Sequence, residues 1–302
     1  MSGMSGQGGG FLQVPGGLAV TLAAVLLGCA GDPPPPPSAP ARVQNPDPSA
    51  LHVGGSGAMT PLAMRLAEAW AARGGQPAVV VAESIGTGGG VRAAADGALD
   101  LGLASRPLTP EELRLGLTVL PAGRDVVVLA AHPSVPVEGL SSNELLALHR
   151  GQMRHFPDGT PAVLLLRDRA ESANRALDLA VPGIRQAREE AYRERRHRVL
   201  YHDSAMAEAL RATRGALGVF PLGAIVSLRL PLRILALDGV HPSPENVESG
   251  RWRMSRPLLL VARPDRLPRA AAFLRFLYSA EAAQLYRASG YLPPAAPPEG
   301  AP

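Results

Sequence analysis

Three stretches of the chain put small hydroxyl residues and glycine ahead of a helix that carries no early acid: Gly54-Gly55-Ser56-Gly57-Ala58-Met59-Thr60-Pro61, Gly86-Thr87-Gly88-Gly89-Gly90 and Ser172-Ala173-Asn174. In the first two the next acids are Glu68 and Asp96; in the third, Arg175 stands where a capping Glu would sit. An uncapped helix start offers unpaired N–H groups and the positive end of the helix dipole, and glycine lets a ligand approach that backbone closely. The chemistry this favours is capture of an anion. Thr109-Pro110-Glu111-Glu112 and Ser141-Ser142-Asn143-Glu144 read instead as capping boxes, whose own Glu fills the helix start. Ser105-Arg106 after one strand end and Arg167 after another add a hydroxyl and charge. Taken singly, each stretch reads as an ordinary cap with ordinary turns; the pattern shared by all three favours the anion site. The Gly86–Gly90 run is not a nucleotide loop, because it has no P-loop Lys and Val91 replaces the third glycine of G-x-G-x-x-G.

Composition narrows the choice further. Every basic side chain among the 302 residues is Arg, the net charge is +4, and the pI is about 9.8. That balance suits an anionic ligand or a membrane surface. Nucleic acid is not indicated, since the basic residues are scattered and aromatic residues make up only 4%. The seven His are dispersed, with neither HExxH nor G-x-S-x-G, so no enzyme, metal or cofactor is expected, although a spatial triad is invisible to sequence. The charge run Arg185–Arg198 reads as a solvated helix face with Glu189, Glu190 and Glu194 paired to Arg neighbours.

These loops need elements to hold them. Strands are expected at Leu51–Val53, Ala78–Ala82, Leu99–Ala104 and Arg124–Ala131, with helices at Pro61–Arg73 and Gly88–Gly97. This is a β-α-β-α-β pattern and hence a parallel sheet covered on both faces. A second set follows: helix Ser141–His149, strand Ala162–Leu166, helix Ser172–Val181, the charged helix, helix Ala205–Thr213, strand Ala216–Phe220 and a short helix near Leu222–Val226. Strand Leu232–Leu237 is expected to return to the first lobe, which strand Arg256–Val261 and helices Leu267–Tyr278 and Ala280–Ala288 complete. The reading is an α/β protein of two lobes, each a mostly parallel sheet flanked by helices. The first lobe spans 51–130 and 232–293, and the second 131–231. The ligand lies in the cleft between them, at the carboxyl edge of the strands.

The N-terminal region points to export. The apolar run Leu18–Leu27 is too short to span a bilayer but fits a signal-peptide core. Small residues before Cys29, the one cysteine, resemble a bacterial lipobox, making 1–28 a lipoprotein-type signal peptide and Cys29 the lipidated residue. The departure is that residues 1–28 contain no Lys or Arg; a plain cleaved signal is the alternative. Residues 29–50 then form a Pro-rich tether that holds the body off a membrane, and 294–302 a disordered tail.

From Leu51 to Pro293 the chain resembles the phosphate-binding component of bacterial phosphate ABC transporters, within the type II periplasmic binding proteins. The landmarks are GSGAMTPLAMRLAEAW, SIGTGGGVRAAADGALDLGLASRPLT, LSSNELLALHRGQ, RGALGVFPLGAI, HPSPENVESGRWRMSRPLLLVAR and YSAEAAQLYRASGYLP. The resemblance implies a monomer that binds inorganic phosphate or a similar oxyanion and serves an ABC transporter permease. It implies ligand groups at Ser56, Gly57, Ala58, Thr87, Gly88, Ser105, Arg106, Arg167, Ser172, Ala173 and Asn174, with Arg169 an alternative to Arg167. Three positions depart from the pattern. Gly57 stands where Thr is frequent, Ser105 matches an Asp that in some members accepts the ligand's proton, and the stretch from Arg167 to Asn174 is wider than the family's Arg and Ser-Gly-Thr. If that Asp is missing, Asp168, Asp203 or a Ser oxygen must accept the proton, or the preferred anion is sulfate, molybdate or tungstate. A non-transport anion sensor or interaction protein on the same fold is the remaining alternative.

Overall fold

The computed structural model describes residues 47–295. The signal segment, Cys29, nearly all of the tether and most of the tail fall outside the described residues. Among the described residues, no helix is long and apolar enough to cross a membrane.

The chain opens with β1 (Leu51–Gly55), α1 (Thr60–Ala72), β2 (Val79–Val81), α2 (Gly86–Ala95), β3 (Leu101–Ala104), α3 (Pro110–Leu113) and the long β4 (Thr118–Ala131). It continues through β5 (Gly139–Leu140), α4 (Ser142–His149), β6 (Val163–Arg167), α5 (Ser172–Ala180), α6 (Ile184–Arg193) and β7 (Arg198–Leu200). Next come α7 (Asp203–Ala212), β8 (Ala216–Pro221), α8 (Leu222–Ser227), β9 (Arg233–Leu237) and α9 (Pro244–Glu248). It ends with β10 (Ser255–Ala262), α10 (Leu267–Leu277), α11 (Ala280–Ala288) and β11 (Tyr291–Leu292).

In the first lobe β1 pairs in parallel with β2 and β3, as alternating strands and helices require, and β10 then closes antiparallel on β3. Helix α1 buries Leu62, Leu66 and Trp70, spaced four apart, in a core with Leu101, Leu258 and Phe273. Helix α2 lies close on the sheet because glycines meet there. A Cβ on Gly55 would stand 2.4 Å from the Leu103 carbonyl oxygen, and one on Gly90 2.7 Å from the Gly55 Cα. In the second lobe β6 pairs in parallel with β7 and β8 around a separate core that includes Leu129, Leu165, Leu177 and Phe220.

Strand β4 serves both lobes. Its first nine residues, Thr118 to Val126, run antiparallel to β10, and Val127–Ala131 then pair with β8. The handover lies between Val126 and Val127. Trp252 marks the chain's return, its Nε1 donating to the Val127 and Met254 carbonyls at 3.0 and 3.1 Å.

Two sequence expectations are corrected. Strand β9 does not return to the first lobe: it pairs with β4 and β5, and Leu235 and Leu237 pack in the second core, so the crossing back comes at β10. The charged run is not one solvated helix to Arg198. Helix α6 ends at Arg193, Arg195 takes a left-handed φ of 53°, and Arg198 begins β7. Nor does its pairing stay on one face, since Glu189 bonds Arg169 at 3.2 Å and the buried Arg188 bonds Asp178 at 2.7 Å.

Candidate functional site

Both capping boxes form as read, on Thr109 with Glu112 and on Ser141 with Glu144. Helices α1 and α2 have neither a side-chain cap nor an acid in the first turn. Both starts face one cleft of about 1060 Å³ between the lobes. Ser56, Gly57, Ala58, Thr87, Gly88, Ser105, Arg106, Arg167 and Ser172 all line it.

The hydroxyls converge. Ser56 Oγ donates to Ser105 Oγ at 2.8 Å, and Thr87 Oγ1 lies 3.4 Å and Ser172 Oγ 3.2 Å from that same Ser105 oxygen. Ser105 also gives its backbone N–H to Thr87 Oγ1 at 3.2 Å. Four hydroxyls from four loops of two lobes therefore share one spot. Each can turn its proton outward, so the cluster is a ready set of donors for an oxyanion. Ser56 and Ser105 are almost fully buried, at 4% and 3% exposure, which keeps competing water off them.

The third helix start is not acid-free. Glu171 is the N-cap of α5, and its carboxylate accepts from the Ala173 N–H. This is a correction: the acid sits one residue before the hydroxyl rather than inside the first turn. The same carboxylate takes Arg256 Nη1 at 2.6 Å and Arg167 Nη2 at 3.1 Å. Arg256 Nη1 also donates to Ser172 Oγ at 2.6 Å, and its Nε to Asp125 Oδ2 at 2.8 Å. Arg167 binds Asp203 Oδ1 at 2.8 Å and the His202 carbonyl at 3.1 Å. Two guanidinium groups thus face three carboxylates, Asp125, Glu171 and Asp203.

Protonation follows from this crowding. Burial pushes the Asp125 carboxyl up to about 6 although Arg256 opposes it, and Asp203 and Glu171 push the same way. Burial also works to raise Glu171, but Arg256 and Arg167 together outweigh it and hold Glu171 at about 2. The Arg256 guanidinium is held above its ordinary range: burial works against its charge, and Asp125 and Glu171 more than offset that.

Other sequence candidates fall differently. Ala173 is buried in the second core, and Asn174 Nδ2 donates to the Asp168 carbonyl at 2.7 Å, so neither reaches the cleft. A helix turn carries both inward once Ser172 faces out. Arg106 lines the cleft with its guanidinium clamped by Glu112 at 2.7 and 2.8 Å. Arg169 stacks on the Tyr192 ring at 4.8 Å and pairs with Glu189, on the second-lobe surface. Gly57 leaves space that neighbours use: a Cβ there would meet Ser84 Oγ at 2.9 Å and Asp203 Oδ2 at 3.4 Å.

Sequence reasoning missed Asp125, Glu171 and Arg256. The signal was present for two of them, because Asp125 and Arg256 are charged residues at or inside apolar strand runs. Among the described residues no group of three or more His, Cys, Asp or Glu is placed to hold a metal ion.

A family model described as a PBP superfamily domain matches residues 36–281. The chain belongs to the PBP superfamily. The Borreliella burgdorferi protein described as phosphate-binding protein PstS is 21% identical over 199 residues, covering 64% of this chain and 71% of that one. A candidate phosphate ABC transporter substrate-binding protein from Clostridium perfringens, solved with bound phosphate, superposes with a TM-score of 0.68 at 21% identity, covering 81% of this chain and 99% of that one. The periplasmic molybdate-binding protein of Azotobacter vinelandii superposes with a TM-score of 0.58 at 15% identity, over 81% of this chain and 99% of its own. Likeness at these identities establishes the two-lobe α/β fold of this superfamily.

Proposed function

We propose that this chain is an extracytoplasmic solute-binding protein that captures a tetrahedral oxyanion, phosphate by preference, and hands it to an ABC transporter permease. The observation that carries the proposal is the meeting of Ser56, Thr87, Ser105 and Ser172 beside two uncapped helix starts. The relatives described as phosphate-binding support the same reading. In this reading the protein works as a monomer without a cofactor or catalytic turnover, held at a bacterial membrane by lipid on Cys29.

Selectivity rests on carboxylates. Near neutral pH phosphate keeps at least one proton and sulfate has none. A carboxylate beside the site accepts a hydrogen bond from the first and repels the second. The Ser105 oxygen is neutral and already accepts from Ser56, whereas the Asp203 carboxylate lines the cleft next to Gly57 and Arg167. Asp203 is therefore the proton acceptor in this scheme, with Arg167 the shared counter-ion of Asp203 and the ligand.

Titration calorimetry of the soluble body with phosphate, sulfate and molybdate is the direct test. Phosphate uptake with at least tenfold weaker sulfate binding is expected. Binding of sulfate, molybdate or tungstate without phosphate would overturn the preference. A thermal-shift panel in which no anion raises the Tm would favour the sensor or interaction protein.

A further inference from the structure

The cleft has a second chemical character above its polar floor. Met64 and Ile85 from the first lobe and Tyr201 and Leu228 from the second all line it. They are 49%, 54%, 67% and 59% exposed, among the largest exposures of bulky apolar side chains in the protein. Single exposed apolar residues on a surface need no explanation, but four gathered around one cleft from both lobes do. A bare tetrahedral anion would touch the hydroxyl floor and leave these side chains in water. The cleft volume of about 1060 Å³ also exceeds the roughly 300 Å³ lower end for small-molecule sites.

The head group does not separate the candidates. Arg167 and Arg256 are paired with Asp125, Glu171 and Asp203, which bears equally on an inorganic and an organic phosphoryl head. An ester or phosphonate presents the same three terminal oxygens and adds apolar area for the exposed side chains to cover.

We infer that the ligand is an organic phosphoryl compound, a phosphomonoester or phosphonate with a compact apolar substituent. Its oxyanion head sits on Ser56, Ser105 and Ser172, and its substituent is packed by Met64, Ile85, Tyr201 and Leu228. The inference rests on the oxyanion reading above and refines its substrate class.

The test is calorimetry with inorganic phosphate and phenylphosphonate, a non-hydrolysable probe, on the unaltered soluble body and on Tyr201→Ser and Leu228→Ser. Both substituted positions are exposed, so folding is expected to survive, and a thermal melt checks it. Phenylphosphonate is expected to bind at least tenfold more tightly than phosphate. Each substitution should weaken phenylphosphonate about tenfold and change phosphate less than twofold. Phosphate binding as tight as or tighter than phenylphosphonate overturns the inference while leaving the oxyanion reading intact. Equal losses for both ligands also overturn it, since the apolar residues would then act in lobe closure. If neither compound binds a folded protein, the oxyanion reading falls and takes this inference with it.

Discussion

The first-lobe wall of the cleft presents Ser56, Thr87 and Ser105 with two free helix starts, and no carboxylate bonds to those hydroxyls. The second-lobe wall presents Arg167 and Ser172, tied through Glu171, Asp203 and the first-lobe Arg256 of β10 into a largely buried ionic web. Apart from Glu83 and the Arg106–Glu112 pair, the first wall is polar through neutral hydroxyl and backbone dipoles. The second is polar through charges that cancel one another. Neutral donors lose little when one is removed and can reorient toward a ligand. Balanced buried charges hold the lobe together, and removing one strands the rest. A side chain that looks like a ligand group on the second wall is therefore first a structural one.

The largest effect should come from breaking the web. Arg256→Met leaves Asp125 and Glu171 without their shared partner, and loss of one member of a buried pair costs about 3–5 kcal/mol. A Tm drop on the order of 10 °C by differential scanning calorimetry is expected for a domain of this size. An unchanged Tm would dissolve the contrast between the walls. Arg167→Ala should likewise lose stability as well as anion binding, because Arg167 is 3% exposed and serves two carboxylates. Lost affinity with an unchanged melt would instead make Arg167 purely a ligand group.

Next in size is the neutral wall. Ser105→Ala removes the oxygen on which three other hydroxyls converge. Hydrogen bonds to a charged group are worth roughly 1.5–3 kcal/mol, so oxyanion affinity should fall about ten- to a hundredfold in calorimetry. The melt should move by only a few degrees. For Asp203→Asn the expected readout is selectivity, with the phosphate-to-sulfate affinity ratio falling at least fivefold.

The pH dependence should be smaller and separable. Asp125 is held near 6 against an ordinary 3.8, so the folded protein binds that proton more tightly, and stability rises as pH falls from about 6 to 4. Glu171, held at about 2 against 4.5, contributes stability above 4.5 that is lost as pH falls toward 2. The Tm should therefore peak in the acid range between these windows, and Asp125→Asn should flatten the limb from 6 to 4. The smallest effect belongs to Arg106→Ala, because Glu112 already occupies that guanidinium. Less than a threefold change in affinity is expected there.

The sequence made most of this fold legible. Hydrophobic spacing located the longer strands and helices, since each lobe repeats a simple strand–helix alternation, but not the short β5, β7, α9 and β11. The first wall was readable because its chemistry is local: glycine, hydroxyl and a missing acid all lie within one loop. The second wall was not, because Asp125, Glu171 and Arg256 come from β4, the start of α5 and β10, and only the folded chain brings them together. For β9 the limit was different. Its pattern fits a strand in either lobe, and pairing with β5 decided the matter.

Strand β4 carries a consequence for modularity. Because it is shared by both sheets and the chain crosses back only before β10, the first lobe is built from two separate lengths of chain and the second is one continuous insert between them. A truncation within β4 removes β10 and leaves the edge of β3 unpaired, an open edge inviting association. The first lobe therefore cannot be completed until the whole of the second has been synthesised.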